Sequence, residues 1–123
     1  MQPSAVLVVS ERNNKTMAQK LSDAGMDPLA PDHIESALET LRHEEVAGIL
    51  ISSMNAAIDI LELVLNVRDV DMQIPIAVVG KHGVSRDVDA LSRTMPNIHI
   101  ISDSVSQNRV VNRFKQITRQ YAR

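Results

Sequence analysis

The side chains able to do chemistry in this sequence are few and scattered. Four histidines, His33, His43, His82 and His99, are the only imidazoles, and none shares ligand spacing with another. His33 and His43 fall at opposite ends of one helical segment, His82 in a loop and His99 on a strand, so no metal site is expected. Ser53 could pair with a histidine as a hydrolytic nucleophile, but no Gly-x-Ser-x-Gly elbow surrounds it. The polar stretch Ser10 to Thr16 opens a helix, as a flavodoxin-type phosphate loop does. It has no glycine for close backbone approach, and Phe114 and Tyr121 are the only aromatics available to sandwich a flavin. The absence of cysteine excludes disulfides, thiolate zinc sites and cysteine nucleophiles, and suits a reducing cytoplasm. No cofactor is expected.

The elements that would position these groups alternate. Ala5 to Val9 is a continuous aliphatic run, the pattern of a strand buried on both faces. Met17, Ala18, Leu21 and Ala24 then recur at helical spacing, with Gly25 at the C-cap. Met26 to Pro31 is a weak strand with two prolines, which places it at a sheet edge. Asp32 caps a helix whose inner face is Ile34, Ala37, Leu38 and Leu41. Gly48 to Ser52, Ile74 to Val79 and Ile98 to Ile101 are the remaining strands; Ala56 to Arg68 and Arg86 to Thr94 are helices. A last helix starts near Ser104 and buries Val110, Phe114, Ile117 and Tyr121.

At 123 residues, with 44% hydrophobic and 23% charged side chains, the chain has the size and composition of one soluble domain, residues 1–123. No apolar run is long enough to span a bilayer, and the amino-terminal residues lack the pattern of a signal peptide. Alternating strands and helices without linker or repeat predict an α/β fold, a flavodoxin-like doubly wound parallel sheet. Right-handed crossovers then give five strands in the order 2-1-3-4-5, with five helices. In such a fold the crevice lies beyond the carboxyl ends of the strands. Those ends carry Ser10-Glu11, Ser52-Ser53-Met54-Asn55, Gly80-Lys81 and Ser102-Asp103.

Over nearly the whole chain the pattern resembles the CheY-like receiver domain of bacterial two-component response regulators. The resemblance rests on Val6 to Glu11, Gly48 to Met54, Leu61-Glu62-Leu63-Val64 with Arg68, and Ile74-Pro75-Ile76. It implies functional positions, and most of them have departed from the family's pattern. The acidic pair that holds Mg²⁺ falls on Ser10 and Glu11, and the phospho-accepting aspartate on Ser53. The switch hydroxyl falls on Gly80, the switch aromatic on His99, and the phosphoryl-binding lysine on Ser102, followed by Asp103 where the family has proline.

Mg²⁺ prefers several oxygen ligands, more than one of them carboxylate in a site of this kind. Glu11 with two hydroxyls offers too little charge, and a serine cannot form an acyl phosphate. Without lysine and metal, charge developing on a phosphoryl group would be uncompensated. The expectation is therefore a pseudo-receiver: no enzyme, no metal, and regulation through a protein partner or an output domain. The resemblance also implies a homodimer through the fourth helix, fifth strand and last helix.

Two helices are candidates for the contact. From Ser104 to Arg123 the ionisable side chains are Arg109, Arg113, Lys115, Arg119 and Arg123, giving +5 in a chain of net charge −2. Arg109 and Arg113 either dock on a partner or form a solvated face; without interleaved aromatics, nucleic acid is not the expected partner. The third helix has one narrow polar stripe, Asp59, Glu62 and Asn66, with Leu65 beside it. Such a helix is either covered by its own neighbours or meets another molecule.

A second resemblance competes. Ile74 to Gly80 and Thr118-Arg119-Gln120-Tyr121 are similar to the amino-terminal wing domain of bacterial ornithine, lysine and arginine decarboxylases. That resemblance implies oligomer assembly, with a pyridoxal phosphate site elsewhere in a longer chain.

Overall fold

Short aliphatic segments cannot satisfy their backbone groups or bury both faces alone, so they pair and are roofed by helices. The computed structural model describes residues 5–10, 15–31, 34–52, 57–80, 86–102 and 105–121. Within them the chain runs β1 (Ala5–Val9), α1 (Lys15–Asp23), β2 (Asp27–Leu29), α2 (Ile34–His43), β3 (Gly48–Ser52), α3 (Ala57–Val70), β4 (Ile76–Gly80), α4 (Arg86–Thr94), β5 (Ile98–Ser102) and α5 (Gln107–Tyr121). All pairings are parallel, in the order β2-β1-β3-β4-β5. This is the expected flavodoxin-like sheet.

Strand alternation divides the core into two layers. Leu7, Ile49, Ile51, Ile76 and Val78 face α2, α3 and α4, where Leu38, Leu63, Val64 and Val88 meet them. Val6, Val8, Leu50 and Ala77 face α1 and α5 and pack on Leu21, Val110 and Phe114. Phe114 is fully buried and is the largest side chain of its layer. Its ring explains Gly48. A Cβ there would lie 2.7 Å from Thr118 Cγ2 and 3.2 Å from the Phe114 ring, so only glycine fits between β3 and α5.

The element ends are set by local chemistry. Gly25, at φ 91°, follows α1, and the bonds Gly25 N to Ser22 O and Met26 N to Leu21 O close the helix in a Schellman motif. The cap assigned to Asp32 lies outside the described residues. The fourth strand starts at Ile76, two residues later than the aliphatic run suggests. Pro75 has no N–H to give, and the Ile74 N–H is taken by Asp71 Oδ1 at 3.1 Å. The last helix begins at Gln107 rather than Ser104. Ser106 is its cap: its Oγ accepts from Arg109 N and its carbonyl from Val110 N. Tyr121, expected inside, is half-buried and turns its hydroxyl to Asp71.

Candidate functional site

The ends of the strands bring Ser10, Ser52, Gly80 and Ser102 to one edge of the sheet. Ser10 follows β1, half-buried; Ser52 closes β3, buried; Gly80 and Ser102 close β4 and β5 and are register partners. Val9 pairs with Ile51, so Ser10 and Ser52 stand one step further along the same two neighbouring strands. Ser52 shares its sheet face with Leu50, towards α1 and α5, whereas Gly80 and Ser102 belong to the rows of Val78 and Ile100 on the other face. Glu11 and Ser53 lie outside the described residues, as do Lys81 and Asp103.

Chemically this edge is neutral where it is described: hydroxyls and a glycine. A hard divalent cation needs anionic oxygen donors, and the described residues of these strand ends include none, Glu11 and Asp103 lying outside them. Among the described residues no group of three histidines, cysteines, aspartates or glutamates could hold a metal.

His99 is not part of that row. It pairs with Ala77 and so faces the α1–α5 side, half-buried at the free edge of the sheet. Burial holds its pKa below the ordinary imidazole value of 6.5, and the neighbouring Arg113 guanidinium adds to the depression. Arg113, exposed, stands near this imidazole, and Arg109, also exposed, lies one helical turn before it on α5. Ile100, 37% exposed, stands on the same strand. On the opposite helical layer Leu65 is 42% exposed, between exposed Glu62 and Asp69. Leu65 is therefore not covered by its own neighbours, which answers the question that the apolar third helix posed.

The most developed polar site among the described residues is at the other end of the sheet, and sequence reasoning named Arg68 and Tyr121 of it without joining them. Arg68, on α3, is 3% exposed. Its Nη1 donates to the carbonyls of Asp71 (3.1 Å) and Ile74 (2.8 Å), and its Nη2 to those of Pro96 (2.8 Å) and Asn97 (3.4 Å). Its Nε has no partner among the described residues. Burial lowers the guanidinium pKa, opposed by the nearby Asp71 and Tyr121, and an arginine stays charged under such a shift.

Around it, Asp71 Oδ1 accepts from Gln73 N and Ile74 N, Asp71 Oδ2 accepts from the Tyr121 hydroxyl at 3.4 Å, and Asn97 Nδ2 donates to Gln73 O at 2.7 Å. Asn97 holds φ 60°, a left-handed conformation that asparagine tolerates better than most residues. Burial and Asp71 push the Tyr121 phenol above its ordinary range. The signal was present in the sequence. Arg68 falls four residues after Val64 and seven after Leu61, off the Asp59–Glu62–Asn66 stripe and on the inner face.

The sequence matches no protein-family model and no curated protein. Solved structures do resemble the fold. A response regulator receiver protein from Sinorhizobium medicae WSM419 superposes with a TM-score of 0.76 at 16% identity, covering 97% of each chain. A CheY-like response regulator receiver domain protein from Methanospirillum hungatei JF-1 gives 0.80 at 12% identity, covering 97% of this chain and 96% of that one. The Francisella novicida lysine decarboxylase LdcF gives 0.75 at 16% identity; 98% of this chain is covered but only 18% of that one. The chain thus has the receiver fold.

Proposed function

We propose that this chain is a pseudo-receiver: a single domain of signal transduction or regulation that acts through protein contacts, independently of phosphorylation. One observation carries the reading. On a receiver fold, the described residues at the strand ends that would surround a phosphoryl group are Ser10, Ser52, Gly80 and Ser102, and of the family's functional positions only Glu11 keeps a carboxylate in the sequence and none is a lysine. The sequence adds serine at position 53, where the resemblance requires the nucleophilic carboxylate. Without a carboxylate nucleophile no acyl phosphate forms, and without a cation the charge of the transferring group is not balanced. Function then rests on exposed surface, with Leu65, Arg109 and Arg113 as the candidate contact residues and a protein partner or output domain as the occupant. The setting is a bacterial cytoplasm.

The test is a titration with Mg²⁺ and beryllofluoride, read from amide chemical shifts of Ser10, Gly80, Ser102 and their neighbours. The expected result is no saturable change. A localised, saturable shift at low millimolar Mg²⁺ would show a crevice that still takes a phosphoryl-like anion and would defeat the reading.

The lysine decarboxylase match supports a second reading, in which the domain is a wing that serves oligomer assembly. The downstream coding sequence separates the two. A pyridoxal-phosphate lysine domain there favours the wing; a DNA-binding or ATPase output domain favours the regulator.

A further inference from the structure

The exposed large apolar side chains among the described residues are Leu65, Met72 and Ile100, and they fall on two surfaces of opposite charge. The first is the outer stripe of α3. Glu62, Leu65 and Asp69 follow one another at i, i+3 and i+7, all exposed. Met72, 59% exposed, follows two residues beyond the end of α3. Leu65 thus stands between two carboxylates, with Met72 beyond the helix end. Glu35, Glu44 and Glu45, all exposed, extend the acidic character to the start of α2 and the turn after it, while Glu39 is held by Arg42 and His43.

The second surface is the free edge of the sheet. Ile100 stands there on the α4 side of β5, and α5, whose charged side chains Arg109, Arg113, Lys115 and Arg119 are all basic, lies on the other side of the sheet. Arg109 and Arg113 make no ion pair among the described residues. Asp89 of α4 is already held by Arg93.

These two surfaces lie on different parts of the molecule, which constrains how a second copy can bind. A two-fold contact through the β5–α5 edge sets each copy's arginines against the other's, and like charges at close range repel. A contact of the α3 stripe with another α3 stripe meets the same obstacle with carboxylates. Opposite charges meet only when the stripe of one copy faces the edge of the next, and that contact also covers the exposed apolar side chains of both surfaces. We propose that the domain self-associates head to tail, with the α3 stripe of one copy docked on the β5–α5 edge of another. Such a contact leaves one free stripe and one free edge at the ends of every assembly, so growth does not stop at a dimer unless the rotation closes a ring.

Sedimentation equilibrium of the full chain tests this at about 0.01 M and about 1 M ionic strength, where charge acts over roughly 30 Å and roughly 3 Å. At low salt the average mass is expected to rise above 13.6 kDa with concentration and to pass the dimer; at high salt it returns to 13.6 kDa. Leu65→Asp blocks the stripe and Arg109→Glu with Arg113→Glu blocks the edge, so each variant alone stays monomeric. Their equal mixture restores one good contact and levels off at the dimer. Asp69→Lys carries the same expectation as Leu65→Asp at an exposed site that no apolar contact depends on, and far-UV circular dichroism checks the fold of each. The proposal is overturned by a wild-type chain that stays at 13.6 kDa in low salt, by self-association of Leu65→Asp at wild-type strength, or by a mixture that remains monomeric.

Discussion

Among the described residues, one end of the sheet buries a charged side chain and the other presents none. At the amino-terminal end a cation is sealed in: Arg68 gives four hydrogen bonds to carbonyls from three segments, and Asp71, Asn97 and Tyr121 complete the network around it. At the carboxyl-terminal end, where an α/β sheet usually keeps its reactive groups, the described strands stop at hydroxyls and a glycine. The comparison teaches that the fold fastens three chain segments with one buried cation at the end of the sheet opposite the one where chemistry is expected.

Substitution at each end gives the largest contrast. Arg68→Met leaves carbonyls without donors and is expected to cost about 3 kcal/mol or more, whereas Ser106→Ala, just beyond the carboxyl end of β5, removes one cap bond to Arg109 N and is expected to cost about 1 kcal/mol. Urea unfolding midpoints check both, and equal losses would break the comparison. Gly48→Ala, at the amino-terminal start of β3, is expected to cost about 1–3 kcal/mol, because Thr118 and Phe114 must move to admit the methyl group. Phe114→Leu in the same chain relieves part of the clash, and a double-mutant cycle measures how much.

The smallest effect is a titration shift at the sheet edge. His99 is expected to titrate below 6.5 by NMR, and Arg113→Gln to raise its pKa towards that value. Because the folded pKa is depressed, the unfolded chain takes up the proton first as pH falls. The stability linked to neutral His99 is therefore complete above pH 6.5 and declines as the pH drops through the folded value. An unmoved pKa in Arg113→Gln would leave burial as the only cause.

The fold was legible in the sequence because the patterns are redundant. Each of β1, β3 and β4 is a run of aliphatic residues, and Gly25 and the prolines of the β2 segment give boundary and edge signals of their own. The start of β4 was less legible. Pro75 and the Asp71 side chain act on Ile74 through hydrogen bonds that hydrophobic periodicity does not register. The crevice could be read only as a set of residue types at strand ends, and the structure places Ser10, Gly80 and Ser102 together as the topology requires. What that row does is a matter for the titration proposed above. The Arg68 network was missed, because four of its acceptors are backbone carbonyls and a carbonyl has no sequence signature. Leu65 shows the reverse: its exposure depends on how α2 and α4 flank α3, which periodicity along one helix cannot report.

Arg68 also has a consequence in time. Its acceptors on Pro96 and Asn97 lie 28 and 29 residues along the chain from it, so one side chain fastens the end of α3, the entry to β4 and the entry to β5. These segments cannot open one by one without stranding a buried cation. Amide protons at Ile74 and Ile76 should therefore exchange with solvent together, through an opening that releases all three segments at once, and not by fraying of a single strand end.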